Sequence, residues 1–512
     1  MVIRNTAANL AGQLVYPVLA LVLVPFYIRH LGLEGYGLIG LMALVVSLLS
    51  VFSRGLGGAL QREISARLAS GDESSLRRLL RSLEVPYWVA AGLIVVVLAG
   101  LALTTGSRWV KTEILTPREV TICLILLACR VALAFPHSVY QSVLMGTERQ
   151  VRGSLLNAAL ALTSAAGGIF VTLVFGTVTA FYASEAITAG IYLLVYRHVA
   201  FSVLPSAPAR FDVGEIRSVI GISLALMWTS GIGLLLSTLD RLFVSALLPM
   251  TSLAVYTIAV MGARVVTLFY NPFLQAAYPQ MCRLVRTGSA DEQARDLARN
   301  SSVVLLIAAA IGVPLCGFAP EVLALWVGDA AVVRAGAPVL SVYVAGSLLI
   351  GLASVMYQWQ TATGRTAVAV LFNAAALVWF PIALAALISG GGLPGAAVAW
   401  AAYGGLAWVT NLFTTFGHNA LPVRYLHASL KMTVLALAPA VLLTIGARLA
   451  ADAWFSDLLW ARTMCGVAAG FCGAVAAIVV VRPHLGGAGA DTRPTTFGVR
   501  RGISRSGLGR IW

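Results

Sequence analysis

The stretch YQSVLMGTERQVRGSLLNAA at residues 140–159 has a second copy in the chain, YQWQTATGRTAVAVLFNAA at residues 357–375. The opening Tyr-Gln pair, a glycine and the closing Asn-Ala-Ala recur at offsets of 216 to 218 residues. A second set of landmarks recurs at an offset of 218 residues: Arg77, Leu79 and Arg81 as Arg295, Leu297 and Arg299. Such a period predicts two related halves, and the alternative is coincidence within an apolar background.

The composition places most of the chain in a lipid bilayer. The chain has 59% hydrophobic residues, 11% charged residues and a mean hydropathy of +0.89. A water-soluble fold of this composition would have too little polar surface to cover its apolar core. Apolar runs near 20 residues, long enough to cross about 30 Å of hydrocarbon, recur along the sequence. We predict an all-α polytopic membrane protein of about fourteen transmembrane helices. Their approximate extents are 6–28, 36–58, 85–105, 119–144, 154–176, 178–197, 217–247, 253–277, 301–318, 337–358, 366–388, 395–416, 431–450 and 460–481.

The repeat divides these spans into six, six and two. Because each copy holds an even number of spans, both copies enter the membrane from the same side, so an axis along the membrane normal relates two pseudo-symmetric lobes. In transporters built this way, substrate sites lie in the cleft between the lobes. The predicted domains are an N-terminal six-helix lobe at 1–210, a C-terminal six-helix lobe at 211–417, two additional helices at 418–482, and a basic disordered cytoplasmic tail at 483–512.

The arginines predict the orientation. With both termini cytoplasmic, roughly 24 Lys or Arg residues fall in cytoplasmic segments and about 6 in outer ones, which fits the positive-inside rule. This bias and the basic tail account for most of the net charge of +15, so a nucleic-acid partner is not required.

Arginines within the spans are the candidate substrate-binding residues, since a buried guanidinium in a membrane needs water, a partner or a ligand. Arg264 in span 8 and Arg130 in span 4 each lie about 17 Å deep, near the midplane, and are expected to converge on an anion. Internal pairing or hydrogen bonding to backbone carbonyls is the alternative for both. Arg54, near the cytoplasmic end of span 2, is either a capture residue or a snorkelling anchor.

Two carboxylates are candidates for ion coupling. Glu185, about 10 Å into span 6, is either a carrier of a coupling proton or a satisfied buried acid. Asp240 lies late in span 7 beside Arg241. Because neighbouring helical residues point about 100° apart, we expect these two side chains not to pair, and a structural role is favoured for them.

The sequence offers no site for catalysis. The two lysines, Lys111 and Lys431, stand outside any GxxxxGK[ST] motif, so ATP binding by a P-loop is not predicted. There is no HExxH, no carboxylate pair with metal spacing, no CxxC and no nucleophile elbow. We therefore predict a protein that is not an enzyme and has no cofactor and no metal.

Three segments resemble a known family. They are PFYIRHLGLEGYGLIGL at 25–41, GGALQREISARLASGD at 57–72 and YTIAVMGARVVTLFYNPFLQAAYPQMCRL at 256–284. Their order and spacing are similar to those of the O-antigen and polysaccharide flippases. These proteins belong to the multidrug, oligosaccharidyl-lipid and polysaccharide exporter superfamily.

The resemblance implies a flippase of the bacterial cytoplasmic (inner) membrane, which moves an undecaprenyl-diphosphate-linked oligosaccharide for cell-surface polysaccharide or lipopolysaccharide synthesis. Its expected partners are this lipid-linked oligosaccharide and membrane lipids. The resemblance does not identify any partner among polysaccharide-assembly proteins. In that family a cationic central cavity engages the diphosphate; the role carries over to Arg264 and, less closely, to Arg54, whereas Arg130 matches no family motif. An anionic cargo would also be driven outward by an inside-negative membrane potential.

Three other functions stay open. A cation-coupled drug exporter of the same superfamily would carry an acidic residue in its early spans, yet none occurs from Thr6 to Ile28 or from Tyr36 to Leu60. A lipid II flippase of peptidoglycan synthesis shares the architecture. A membrane glycosyltransferase or polymerase would need an outer loop with room for catalysis, and the predicted outer loops are short.

Overall fold

The computed structural model describes four ranges of the chain: 2–206, 210–416, 421–455 and 458–485. Within them, side chains are not described at 2–14, 16, 51–55, 105, 107–108, 222, 225–226, 228–230 and 483–485. The described residues form an all-helical chain, with one isolated β-bridge between Phe416 and Leu421, which confirms the predicted fold class. The predicted tail lies outside the described residues from residue 486 onward.

Fourteen α-helices run through the described residues. They are α1 (Val2–Ala69), α2 (Leu76–Trp109), α3 (Pro117–Gly146), α4 (Gln150–Phe175), α5 (Val178–Val203), α6 (Val213–Leu247), α7 (Met250–Thr287), α8 (Ala290–Ile307), α9 (Val313–Gly317), α10 (Ala319–Trp326), α11 (Ala330–Thr363), α12 (Ala367–Thr415), α13 (Arg424–Trp454) and α14 (Leu459–Leu485). A 3₁₀ turn at Glu73–Ser75 precedes α2, and a π-helical segment at Ala308–Gly312 joins α8 to α9.

Two of these helices each contain a pair of predicted spans. α1 changes direction at Gly32 (φ 72°, ψ 173°) and α12 at Gly392 (φ 60°, ψ −138°), backbone conformations that side chains with a Cβ disfavour. Among the described residues, eleven helical segments are long and apolar enough to cross a membrane. The exact count of fourteen spans stays a prediction.

Local sequence signals set several helix boundaries. Thr116 with Glu119 starts α3, and Ser289 with Glu292 starts α8; in each case the two side chains cap the backbone N–H groups of the first turn reciprocally. Gly364 closes α11 in the left-handed conformation (φ 74°), where a residue without a Cβ is favoured. These caps place the polar loops at the ends of the apolar helices.

Helix α1 connects two groups of helices. It contacts α3 and α4, and it also contacts α6 and α7. α11 packs against α7 and α12, and α12 also reaches α6. α13 and α14 pack mainly on each other and against the α8–α10 segment. The junction between the first five helices and α6–α7 therefore runs along α1.

This junction is tightly closed at its predicted outer end. A Cβ on Gly37 of α1 would lie 2.3 Å from the carbonyl oxygen of Met250, so only glycine permits the approach to α7. The Met250 N–H donates to the Lys111 carbonyl at 3.0 Å. The Trp326 indole N–H donates to the Leu21 carbonyl at 2.8 Å. The first two contacts join the first five helices to α7, and the third joins α1 to α10.

The repeated landmarks occupy comparable places. α3 ends at Gly146, and α11 is capped by Gly364. Asn157 accepts a hydrogen bond from the Tyr196 hydroxyl at 2.7 Å, and its counterpart Asn373 accepts one from the Tyr403 hydroxyl at 3.2 Å. These likenesses are consistent with a duplication, and the division into two lobes stays a prediction.

Candidate functional site

A cavity of about 330 Å³ lies where α1, α4 and α5 meet α6 and α7. Its wall is mostly apolar, with a few polar side chains. The polar lining residues are Tyr27, Tyr36, Ser164, Glu185, Arg241, Thr257, Arg264 and Thr267. A mostly apolar wall with a small number of polar groups at fixed positions is typical of a small-molecule site. The cavity is thus the candidate functional site of the described part of the chain.

Arg264 lies in this wall, on α7, and its side chain is exposed to the cavity region. Thr267 and Leu268, one turn further along the same helix, also line the cavity. A guanidinium in such a place presents several N–H donors in a planar fork that fits carboxylate or phosphate oxygens. The residue singled out by its depth in span 8 therefore faces the central cavity.

Arg130 is placed differently. Its Nε lies 3.4 Å from one carboxylate oxygen of Glu185, and the other oxygen accepts a hydrogen bond from the Ser164 hydroxyl. Glu185 and Ser164 line the cavity, whereas Arg130 is not among the described lining residues. The two arginines therefore do not converge as expected, because the carboxylate from α5 pairs with Arg130 at the cavity wall. Of the two alternatives for Glu185, a proton carrier or a satisfied buried acid, this arrangement fits the buried acid, because its partners lie within the protein.

Asp240 and Arg241 correct one expectation. The Arg241 Nε lies 3.9 Å from Asp240 Oδ1, so the adjacent side chains do form an ion pair, although neither atom makes a hydrogen bond among the described residues. The pairing is possible because the long arginine side chain bends back along α6, where its Nη2 donates to the Ser237 carbonyl at 3.3 Å. Asp240 is fully buried and accepts a hydrogen bond from the Tyr256 hydroxyl at 3.0 Å.

Arg241 itself lines the cavity, which the sequence reasoning missed. The insertion cost of an arginine in span 7 was a usable signal, but the neighbouring acid and the proximity to a membrane surface favoured a structural reading. The charged residues described at or behind the wall are three arginines, Arg130, Arg241 and Arg264, and two carboxylates, Glu185 and Asp240. Their formal net charge is one positive unit, and Glu185, the carboxylate in the lining, is paired with Arg130.

Arg54 lies in α1, but its side chain is outside the described residues. Its predicted contact with the substrate therefore stays a prediction.

A second concave surface lies between α13 and α14. This groove has a volume of about 690 Å³, and its lining is almost entirely apolar, with residues such as Leu442, Ala469 and Cys472. Near its predicted outer end, Glu321 of α10 binds Arg448 at 2.6 Å and 2.7 Å and Arg462 at 2.9 Å. This buried carboxylate fastens the two additional helices to the rest of the bundle.

The comparisons with known proteins agree with this architecture. A family model described as "Polysaccharide biosynthesis protein" matches residues 2–285. No curated protein matches the chain in sequence. Several solved membrane transporters have a similar fold.

The lipid II flippase MurJ in an inward closed conformation has a TM-score of 0.72 at 11% identity, over 94% of this chain and 99% of that one. A MATE family multidrug resistance transporter of the MOP superfamily, in an inward-facing conformation, has a TM-score of 0.63 at 13% identity. The match covers 78% of this chain and 96% of that one. A point mutant of the Vibrio cholerae MATE transporter VcmN has a TM-score of 0.53 at 18% identity, and the match covers 81% of this chain and 97% of that one. At these identities the likeness establishes the fold alone.

Proposed function

Because the chain belongs to the family of polysaccharide biosynthesis proteins, we propose that it is a flippase for an undecaprenyl-diphosphate-linked oligosaccharide. In this proposal the cargo enters from the cytoplasmic leaflet of the bacterial inner membrane and leaves on the outer side by alternating access. The two predicted lobes, residues 1–210 and 211–417, would move relative to each other around the central cavity.

The observation that carries the proposal is the charge of the cavity wall. Arg264 and Arg241 line the cavity, while Glu185 is occupied by Arg130 and Ser164. The wall therefore offers donors to an anion. A diphosphate suits this arrangement, since its oxygens accept paired hydrogen bonds from a guanidinium. A cationic drug would find no available carboxylate among the described lining residues.

The size of the cavity indicates which part of the cargo it holds. At about 330 Å³ it is at the lower end of the range for ligand pockets, roughly 300–1,000 Å³, and fits a headgroup portion rather than a polyprenyl chain. The apolar groove between α13 and α14 would receive the lipid tail, because burying hydrocarbon there costs no polar contacts. This gives the two additional helices a role in the proposal.

The driving force in the proposal is the membrane potential. An inside-negative potential favours outward movement of an anion by about 2.3 kcal/mol per charge per 100 mV when the charge crosses the whole field. Glu185 and Asp240 were the candidates for ion coupling, and both are held by neighbouring side chains. Neither is required as a proton carrier in this scheme.

The test is a gene deletion followed by localisation of the lipid-linked glycan. In the deletion strain the intact glycan should accumulate on the cytoplasmic leaflet, where an added impermeant glycosidase or lectin cannot reach it in whole cells. The wild-type gene should restore export and Arg264→Ala should not. Normal export in a deletion strain without a redundant transporter would overturn the proposal, and accumulation of lipid II instead would favour the peptidoglycan flippase.

A further inference from the structure

α7 has two exposed faces of opposite character. At about 100° per residue, Arg264, Asn271 and Gln275 fall within roughly 40° of one another on the helix circumference. All three are exposed. Phe269 and Ala276 are exposed as well, but they lie about 120–140° away. One helix thus presents a polar face and, separately, an apolar one.

The polar face continues the wall of the central cavity. The cavity lining on α7 extends to Thr267 and Leu268, and Asn271 is one turn beyond them on the same side. Gln275 follows one turn later. At 1.5 Å per residue, Asn271 and Gln275 lie about 10 Å and 17 Å from Arg264 along the axis, toward the predicted cytoplasmic end.

The two faces must have different surroundings in a membrane. An amide side chain exposed to hydrocarbon would leave its donors and acceptor unsatisfied, which is costly. Phe269 has no such requirement and suits lipid. We therefore place the Asn271 and Gln275 face toward an aqueous vestibule and the Phe269 face toward the acyl chains.

The far end of the polar face is aromatic. Tyr278 of α7, which is half-buried, lies near Tyr357 of α11, and Tyr357 is 43% exposed. α7 and α11 pack together along their length. Amides followed by tyrosine rings, one of them exposed, form a surface suited to sugars, because amides both donate to and accept from hydroxyls, and aromatic rings cover the apolar sugar face.

We propose that this amide face, formed by Asn271 and Gln275, is the binding subsite for the glycan of the cargo. The inference rests on the proposed function, in which Arg264 holds the diphosphate. The first sugars, attached to the diphosphate, then lie against Asn271 and Gln275 on the cytoplasmic side of Arg264. Arg264 then binds the diphosphate, which all such cargoes share, and the amide face binds the sugars, which differ between cargoes.

The experiment compares two probes on the full chain in nanodiscs. One probe is bare undecaprenyl diphosphate, and the other is the undecaprenyl-diphosphate-linked glycan extracted from the deletion strain. The Asn271→Ala/Gln275→Ala double variant should bind the glycan-bearing probe about tenfold more weakly than the wild type. Its affinity for the bare diphosphate should be unchanged.

Two control variants keep the result interpretable. Phe269→Ala lies on the apolar face of the same helix, and Gln61→Ala removes an exposed glutamine at the cytoplasmic end of α1. Both should bind the two probes as the wild type does. The thermal unfolding midpoint of the double variant itself is measured beside that of the wild type, and an unchanged midpoint excludes a folding defect as the cause of weaker binding.

The outcomes separate the two proposals. Equal binding of both probes by the double variant and the wild type, or an equal loss for both probes, overturns the glycan subsite. A wild-type chain that binds neither probe overturns the proposed function and the subsite with it. Loss confined to the glycan-bearing probe supports the subsite.

Discussion

Arg130 and Arg264 were predicted at the same depth, on opposite sides of one cleft, yet their environments differ. Arg130 lies behind the cavity wall and is paired with Glu185 of α5. Arg264 lies in the wall itself, with its side chain exposed. The first arginine is paired with a carboxylate of the protein, and the second lines the space that a ligand would occupy in the proposal. Depth shows that a charge within a span needs suitable surroundings, but the packing of the neighbouring helices decides whether its side chain reaches the cavity.

The largest expected effect is on stability and comes from the paired side. Glu185→Ala leaves Arg130 without its carboxylate, and breaking a buried ion pair by removing one partner costs about 3 kcal/mol or more. The free energy of unfolding in detergent, measured with a denaturant, should fall accordingly. The Arg130→Leu/Glu185→Leu double variant should recover much of the loss because no charge is left unpaired. Equal losses for the single and double variants would contradict the pairing.

Arg264→Lys separates charge from geometry on the exposed side. Lysine keeps the positive charge but lacks the planar fork, so loss of one paired hydrogen bond should weaken diphosphate binding by about fivefold. The unfolding free energy should change little, since the side chain is exposed in the cavity region. Binding by titration calorimetry and unfolding in the same detergent check both. Unchanged affinity would mean that Arg264 contributes only a diffuse charge.

Arg241 is intermediate between the two arginines. It lines the cavity, but it also interacts with Asp240 and donates to the Ser237 carbonyl. Arg241→Gln should therefore weaken diphosphate binding less than loss of Arg264, by roughly threefold, and should also reduce stability because Asp240 loses its cationic neighbour and keeps hydroxyl contacts such as that of Tyr256. The Asp240→Asn/Arg241→Gln double variant is the control and should be more stable than the single one. A binding loss greater than that of Arg264→Ala would reverse the ranking.

The smallest effect is expected at the predicted cytoplasmic end, outside the membrane. There Asp291 accepts a hydrogen bond from the Tyr425 hydroxyl and binds Arg424 at 2.9 Å, and both interactions hold the pKa of its carboxyl below the usual value. Because the folded-state pKa is depressed, the stabilisation is present at neutral pH and is lost as the pH falls through that pKa. The pair is exposed, so the contribution is small.

Asp291→Asn should thus produce a slight loss of thermal stability at neutral pH, which disappears in acid. Glu73→Gln changes another exposed carboxylate and serves as the control. A loss at neutral pH as large as that of Glu185→Ala would show that exposure does not separate the two sites.

The sequence was sufficient for the all-helical membrane fold, since apolar runs and their polar boundaries are local properties. The depth of Arg264 in its span was also readable and agrees with its place in the cavity wall, whereas its role in binding stays a prediction. The pairing of Arg130 with Glu185 was not readable, since the two residues are 55 positions apart and meet only when α3 packs against α5. The bend of the Arg241 side chain toward Asp240 and Ser237 likewise depends on a rotamer, which a helical projection does not give.

The most direct test of the account measures the affinity for undecaprenyl diphosphate in nanodiscs for three chains: the wild type, Arg264→Ala and the Arg130→Leu/Glu185→Leu double variant. The account predicts that Arg264→Ala binds about 10–100-fold more weakly, since it loses charge-assisted hydrogen bonds to phosphate. The double variant, whose charges are already paired within the protein, should bind within about threefold of the wild type. Wild-type affinity in Arg264→Ala, or a larger loss in the double variant, would contradict the division between the two arginines.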